Sequence, residues 1–270
     1  MNDRPIGVFD SGLGGLTVVR EIRRQLPAEK IVYLGDSARV PYGTRSAETV
    51  IRYARKCADF LDTQDLKMLV VACNTASSVA LPALREDRDV PVLGVITAGA
   101  RAAVDSGALA VGVIGTAGTI HSNAYASEIA KLSPEVIVHQ EPAPLFVPLA
   151  EEGWVDGEVP LLAAERYLAP LVEHNIGTLL LGCTHYPLLK GTIGQALHKL
   201  GSGASIIDSA TAMTRDIMAK LDARDLQRDT SGNSGGLSCY VTDLPDSFRE
   251  VAGRFLGESD PLGDVEVVDI

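Results

Sequence analysis

Two near-copies of one phrase, 110 residues apart, limit what this chain can fold into. Leu69-Val70-Val71-Ala72-Cys73-Asn74-Thr75 in the first half is answered by Leu179-Leu180-Leu181-Gly182-Cys183-Thr184-His185 in the second. Each is a short apolar run, then a small residue, a thiol and a polar residue able to start a helix. That is the layout of a buried strand whose carboxyl end exposes a cysteine. Two further landmarks recur in the same order. Gly7-Val8-Phe9-Asp10-Ser11-Gly12 matches Gly112-Val113-Ile114-Gly115-Thr116-Ala117 at an offset of 105, and residues 92–97 face residues 204–209 at an offset of 112. Slowly drifting spacing is what insertions in surface loops produce. The chain therefore reads as two related domains, one ending near residue 97 and the other at 98–209, each contributing one cysteine to a shared site, and periodicity leaves open where the tail 210–270 docks.

Between the landmarks, apolar runs alternate with helical periodicity. Strands are expected at 6–9, 30–34, 68–72 and 92–96, with helices at 16–26, 47–61 and 75–84, the last bent or stopped by Pro82. The second half repeats the pattern: strands at 110–114, 136–140, 178–182 and 205–207, helices at 122–132 and 157–173. Such alternation predicts an α/β fold of two similar domains, each a mostly parallel sheet with helices on both faces and the active site between them. A tail follows, with a helix at 210–221, a polar loop at 228–236 expected to be mobile, a strand at 237–241, a helix at 246–255 and a strand at 265–268.

A formal charge of -11 argues against a nucleic-acid partner, since clustered Lys and Arg drive such binding. No apolar run approaches the roughly 18 residues of a membrane span, and the amino terminus does not read as a secretory signal. A cytoplasmic location is expected. The four cysteines form no CxxC pair or zinc-spaced cluster, so no metal site is expected. Cys57 and Cys239 sit in helical and strand-like apolar patterns and read as small core residues.

Cys73 and Cys183 differ because a helix start follows each. Partial positive charge there is expected to lower a thiol from its usual pKa of about 8.5. One such cysteine suggests a nucleophile. Two, contributed symmetrically, suggest that one thiolate removes a proton from a carbon while the other thiol delivers one to its opposite face, a racemisation or epimerisation needing no redox cofactor. His185 is placed to act as a charge partner. The loop Asp10-Ser11-Gly12-Leu13-Gly14-Gly15 joins a strand to a helix but lacks the nucleotide-binding glycine order, and its leading acid would repel phosphate. It suits a carboxylate ligand or an amino group, or is an ordinary tight turn. Tyr42 and Gly43, in a loop after the second strand, belong to the same ligand-binding edge.

These residues have a family pattern. Phe9-Asp10-Ser11-Gly12-Leu13-Gly14-Gly15, Gly35-Asp36 with Pro41-Tyr42-Gly43, Cys73-Asn74-Thr75 and Gly182-Cys183-Thr184-His185 together resemble the glutamate racemases, members of a cofactor-independent aspartate/glutamate racemase superfamily. The resemblance implies interconversion of L- and D-glutamate for peptidoglycan synthesis, without pyridoxal phosphate or any other cofactor. By analogy, Cys73 deprotonates D-glutamate and Cys183 deprotonates L-glutamate, with Asp10, His185 and a glutamate, Glu151 in preference to Glu152, as auxiliary groups. Asp10, Ser11, Tyr42, Gly43, Asn74, Thr75, Thr184 and His185 are then expected to bind substrate. The loops hold few cations, so binding by backbone N–H and hydroxyl groups is expected. The resemblance also implies that the tail returns to the first domain, giving domains at 1–97 plus 210–270 and 98–209, and a homodimer is compatible with the sequence. The competing readings are a racemase or isomerase of aspartate, hydantoins or maleate, a dicarboxylate-binding protein, and a thiol redox sensor.

Overall fold

The computed structural model describes residues 2–228, 235–257, 262 and 264–270. The first half runs β1 (Ile6–Asp10), α1 (Leu16–Gln25), β2 (Ile31–Gly35), α2 (Ala47–Asp62), β3 (Met68–Val71), α3 (Asn74–Glu86), β4 (Val92–Gly94) and α4 (Val95–Asp105). The second runs β5 (Ala110–Gly115), α5 (Ala117–His121), α6 (Ala124–Leu132), β6 (Ile137–Pro142), α7 (Phe146–Glu151), α8 (Glu158–Val172), β7 (Thr178–Gly182), α9 (Lys190–Lys199) and β8 (Ser205–Asp208). The tail holds α10 (Ser209–Ala223), β9 (Leu237–Val241), α11 (Pro245–Leu256) and β10 (Val265–Val267).

Two parallel sheets result, in strand orders β10-β9-β2-β1-β3-β4 and β6-β5-β7-β8. The four strands native to each half are thus ordered second, first, third, fourth in both. The register carries the repeat further: Phe9 pairs with Val71 as Ile114 pairs with Leu181, the positions 105 and 110 residues on. Central strands β1, β3 and β7 are buried throughout, which explains their continuous apolar runs. Separate apolar cores fill the two faces of each sheet. The tail returns to the first sheet, where β9 lies parallel to β2.

Helix starts at the strand ends are fixed by side-chain caps. The Cys73 sulfur accepts from the Ala76 N–H at 3.4 Å to open α3. Thr116 accepts from Thr119 N–H to open α5, and Asp208 from Thr211 N–H at 2.8 Å to open α10. Each cap satisfies one of the donors a helix start leaves unpaired.

The structure departs from the local sequence pattern in four places. Pro82 does not stop α3, which continues to Glu86 because Ala76, Ala80 and Leu84 stay buried along one face and packing outweighs one lost backbone bond. The strand expected at 92–96 ends at Gly94, and the β-branched Val95 and Ile96 begin α4. That helix buries Val95 and Ala98 in the first lobe's core and Ile96, Ala100 and Ala103 in the second's. The helix expected at 122–132 is α6, which starts only at Ala124 after Asn123, whose φ of 55° is left-handed, and a separate short helix, α5, precedes it unexpected. Helices α7 and α9 were not legible, α7 because Pro148 lies inside it. Most of the polar loop expected at 228–236 lies outside the described residues.

Candidate functional site

The carboxyl edges of the two sheets meet at a cavity of about 220 Å³, room for one small metabolite. Its walls include Asp10, Ser11, Tyr42, Gly43, Cys73, Asn74, Thr75, Glu151, Cys183, Thr184 and His185. All the site residues expected from sequence therefore border one space, and residues of both lobes supply it. Both thiols are free and buried. Among the described residues that line it there is neither lysine nor arginine, so a carboxylate here meets backbone amides, hydroxyls, the Asn74 amide and the ring of His185.

Cys73 sits where β3 gives way to α3, with the Ser11 hydroxyl 3.7 Å from its sulfur. The expectation of a lowered thiol pKa fails at this cysteine. Burial pushes it up to about 12, and the negative charge of Asp10 adds to the rise. The Ala76 N–H and Ser11 pull in the other direction, as a helix start should, but removing the thiolate from water dominates. Asp10 is itself buried and raised, first by desolvation, against the opposing influence of His185 and the amides of Gly15, Gly12 and Ser11. Its Oδ2 accepts from Gly12 N–H at 3.3 Å, while Oδ1 has no partner among the described residues.

Cys183 has a different neighbour. His185 Nδ1 lies 3.8 Å from its sulfur, and His185 Nε2 lies 3.0 Å from Glu151 Oε1. Burial works against the imidazolium, yet hydrogen bonds and attraction from Cys183 and Glu151 outweigh it and hold the ring up to about 10. The contact singles out Glu151, whereas the adjoining Glu152 is exposed. From the tail, Phe255 packs edge-on to the His185 ring at 5.2 Å, and Arg254 donates to the Glu151 carbonyl.

Gly14 of the first loop serves lobe contact. A Cβ on Gly14 would lie 2.1 Å from Thr184 Oγ1 and 2.5 Å from His185 Nδ1, so only glycine allows this approach. Thr17 reinforces it by donating to the Thr184 carbonyl at 3.0 Å. Tyr42 lines the cavity, but its hydroxyl turns away to donate to Asp36, leaving the ring and backbone to face a ligand.

Thr116 and Thr119 escaped the sequence reading. Thr75 Oγ1 lies 2.9 Å from Thr116 Oγ1 and 3.3 Å from Thr119 Oγ1, a hydroxyl cluster spanning the lobes. The duplication held the signal, since Thr116 occupies the position of Ser11 at the offset of 105. Pro144, Val147 and Pro148 also line the cavity, and no pattern in the sequence marked them.

Residues 6–217 match the Asp/Glu/Hydantoin racemase family. A glutamate racemase of Geobacter metallireducens is 51% identical over 268 residues, 99% of this chain and 97% of that protein. The crystal structure of glutamate racemase from Francisella tularensis in complex with D-glutamate superposes with a TM-score of 0.91 at 40% identity, covering 100% of this chain and 98% of the other. An aspartate racemase homologue of Pyrococcus horikoshii, at 15% identity and a TM-score of 0.59 over 81% of this chain and 99% of its own, shares the fold alone.

Proposed function

The chain belongs to the Asp/Glu/Hydantoin racemase family, and within it we propose that this racemase interconverts L- and D-glutamate by passing protons at the α-carbon between Cys73 and Cys183. The observation that carries the mechanism is the placement of two buried free thiols, one from each lobe, on the wall of a single cavity. Support for glutamate comes from the relatives at 44–51% identity over nearly the whole chain.

In the L-to-D direction, the Cys183 thiolate takes the α-proton and the C–H electron pair stays on carbon. The Cys73 thiol then delivers its own proton to the opposite face, and the charge ends on Cys73. The reverse direction exchanges the roles, so no electron or group enters or leaves. His185 holds positive charge beside Cys183, and Glu151 holds His185. Asp10 is the auxiliary group on the Cys73 side. Ser11, Asn74, Thr75, Thr184 and the backbone around Tyr42 and Gly43 bind the two carboxylates and the ammonium group, with Thr116 added to that set. The chemistry calls for no cofactor, because proton transfer is complete with the two sulfurs.

We divide the lobes at 1–97 plus 210–270 and 98–209, which assigns β9 to the sheet it pairs with. Making D-glutamate for peptidoglycan places the enzyme in the cytoplasm, in keeping with the lack, among the described residues, of any helix long and apolar enough to cross a membrane. Incubating the purified chain with L-glutamate or L-aspartate and resolving the enantiomers tests the substrate. Racemic glutamate with unchanged aspartate is expected; the opposite preference would refute the assignment.

A further inference from the structure

Asn74 follows Cys73 directly and is 3% exposed, yet its two amide atoms are treated differently. Oδ1 accepts from the Tyr125 hydroxyl at 2.6 Å, while the buried Nδ2 has no partner among the described residues. A separation of 2.6 Å suits an O–H donor to oxygen and is short for an N–H donor, which fixes the carbonyl end toward Tyr125. The NH2 end must then point elsewhere, and Asn74 borders the cavity of the two thiols. A buried unpaired donor is costly unless something accepts from it.

Tyr125 comes from α6 of the other lobe and is fully buried. Its ring occupies a slot left by two glycines: a Cβ on Gly182 would lie 2.9 Å from the ring, and one on Gly99 would lie 3.0 Å from it. Gly182 directly precedes Cys183. One side chain thus rests against the residue before one thiol and hydrogen-bonds the residue after the other.

We propose that Tyr125 is a positioning residue, which locks the Asn74 amide so that its NH2 group is presented to a carboxylate of the bound amino acid, in a register set against the Cys183 strand. This rests on the racemase reading above. Tyr125 touches no reacting atom, so its loss weakens binding and leaves proton transfer nearly intact. It acts alike on both enantiomers because it serves both half-sites.

The test is Tyr125→Phe, which keeps the packed ring, assayed with both enantiomers of glutamate beside Asn74→Ala and the double variant. KM is expected to rise about tenfold in both directions with kcat within about threefold, the size of one hydrogen bond to a charged group. In the Asn74→Ala background, Tyr125→Phe should change KM no further. A structural role alone predicts a lower melting temperature and reduced kcat, with the effect persisting in the double variant, and that result overturns the proposal. So does an unchanged KM in Tyr125→Phe, which leaves glutamate as the substrate. A wild-type chain that turns over no glutamate removes the substrate reading and this inference with it.

Discussion

The surroundings of the two thiols are built from equivalent strands but carry opposite electrostatics. Cys73 has a buried carboxyl group beside it and a thiol pushed up to about 12. Cys183 has a histidine held up to about 10, backed by Glu151. In the duplication, Asp10 corresponds to Gly115 and His185 to Thr75, so each lobe gained a charged group where the other has a neutral one. A fold repeat supplied two mirror positions for sulfur, and unequal neighbours set them in different electrostatic surroundings.

The comparison is most severely challenged by removing either sulfur. Cys73→Ala and Cys183→Ala should each lower racemisation about 10⁴-fold in both directions, the upper range for a positioned acid or base, while circular dichroism and melting stay close to those of the parent. Residual racemisation near the parent rate in either variant breaks the pairing. A smaller effect is expected from Glu151→Gln. His185 is protonated below about 10 and loses its charge as pH rises through that value, so the alkaline limb of turnover should lie there. Without the carboxylate, the limb should move down by about one pH unit, as pH–rate profiles will show. A limb that stays in place detaches Glu151 from the Cys183 side. Smallest is the difference between enantiomers. Because the neighbours of the two sulfurs differ, the KM values for the two enantiomers should differ by about threefold, with kcat changed by the same factor since the equilibrium constant is one. Equal KM values would mean the half-sites are balanced.

Much of this was legible in the chain itself, because backbone architecture follows from short apolar runs and helix caps. The Leu-Val-Val-Ala-Cys phrase and its copy located both thiols, and the offset of 105 also placed Thr116 opposite Ser11, though only the assembled lobes give that match meaning. Other features depend on the lobes meeting. Gly14 reads as a flexible loop residue until Thr184 and His185 press against it. Tyr125 reads as one more apolar position in an amphipathic helix, since its hydrogen bond reaches a residue 51 positions away in the other lobe. The thiol of Cys73 shows the same limit in energetic form: the helix start visible in sequence does act on it, but the burial that outweighs that influence arises only when the cavity closes.

The central claim, that each sulfur serves one enantiomer, is tested most directly by α-proton exchange in deuterated water with the single-cysteine variants. Cys73→Ala retains Cys183 and should exchange the α-proton of L-glutamate without inverting it, leaving D-glutamate unlabelled. Cys183→Ala should label only D-glutamate. Exchange of both enantiomers by either variant, followed by proton NMR of the α-carbon, would contradict the assignment of one thiol to each face.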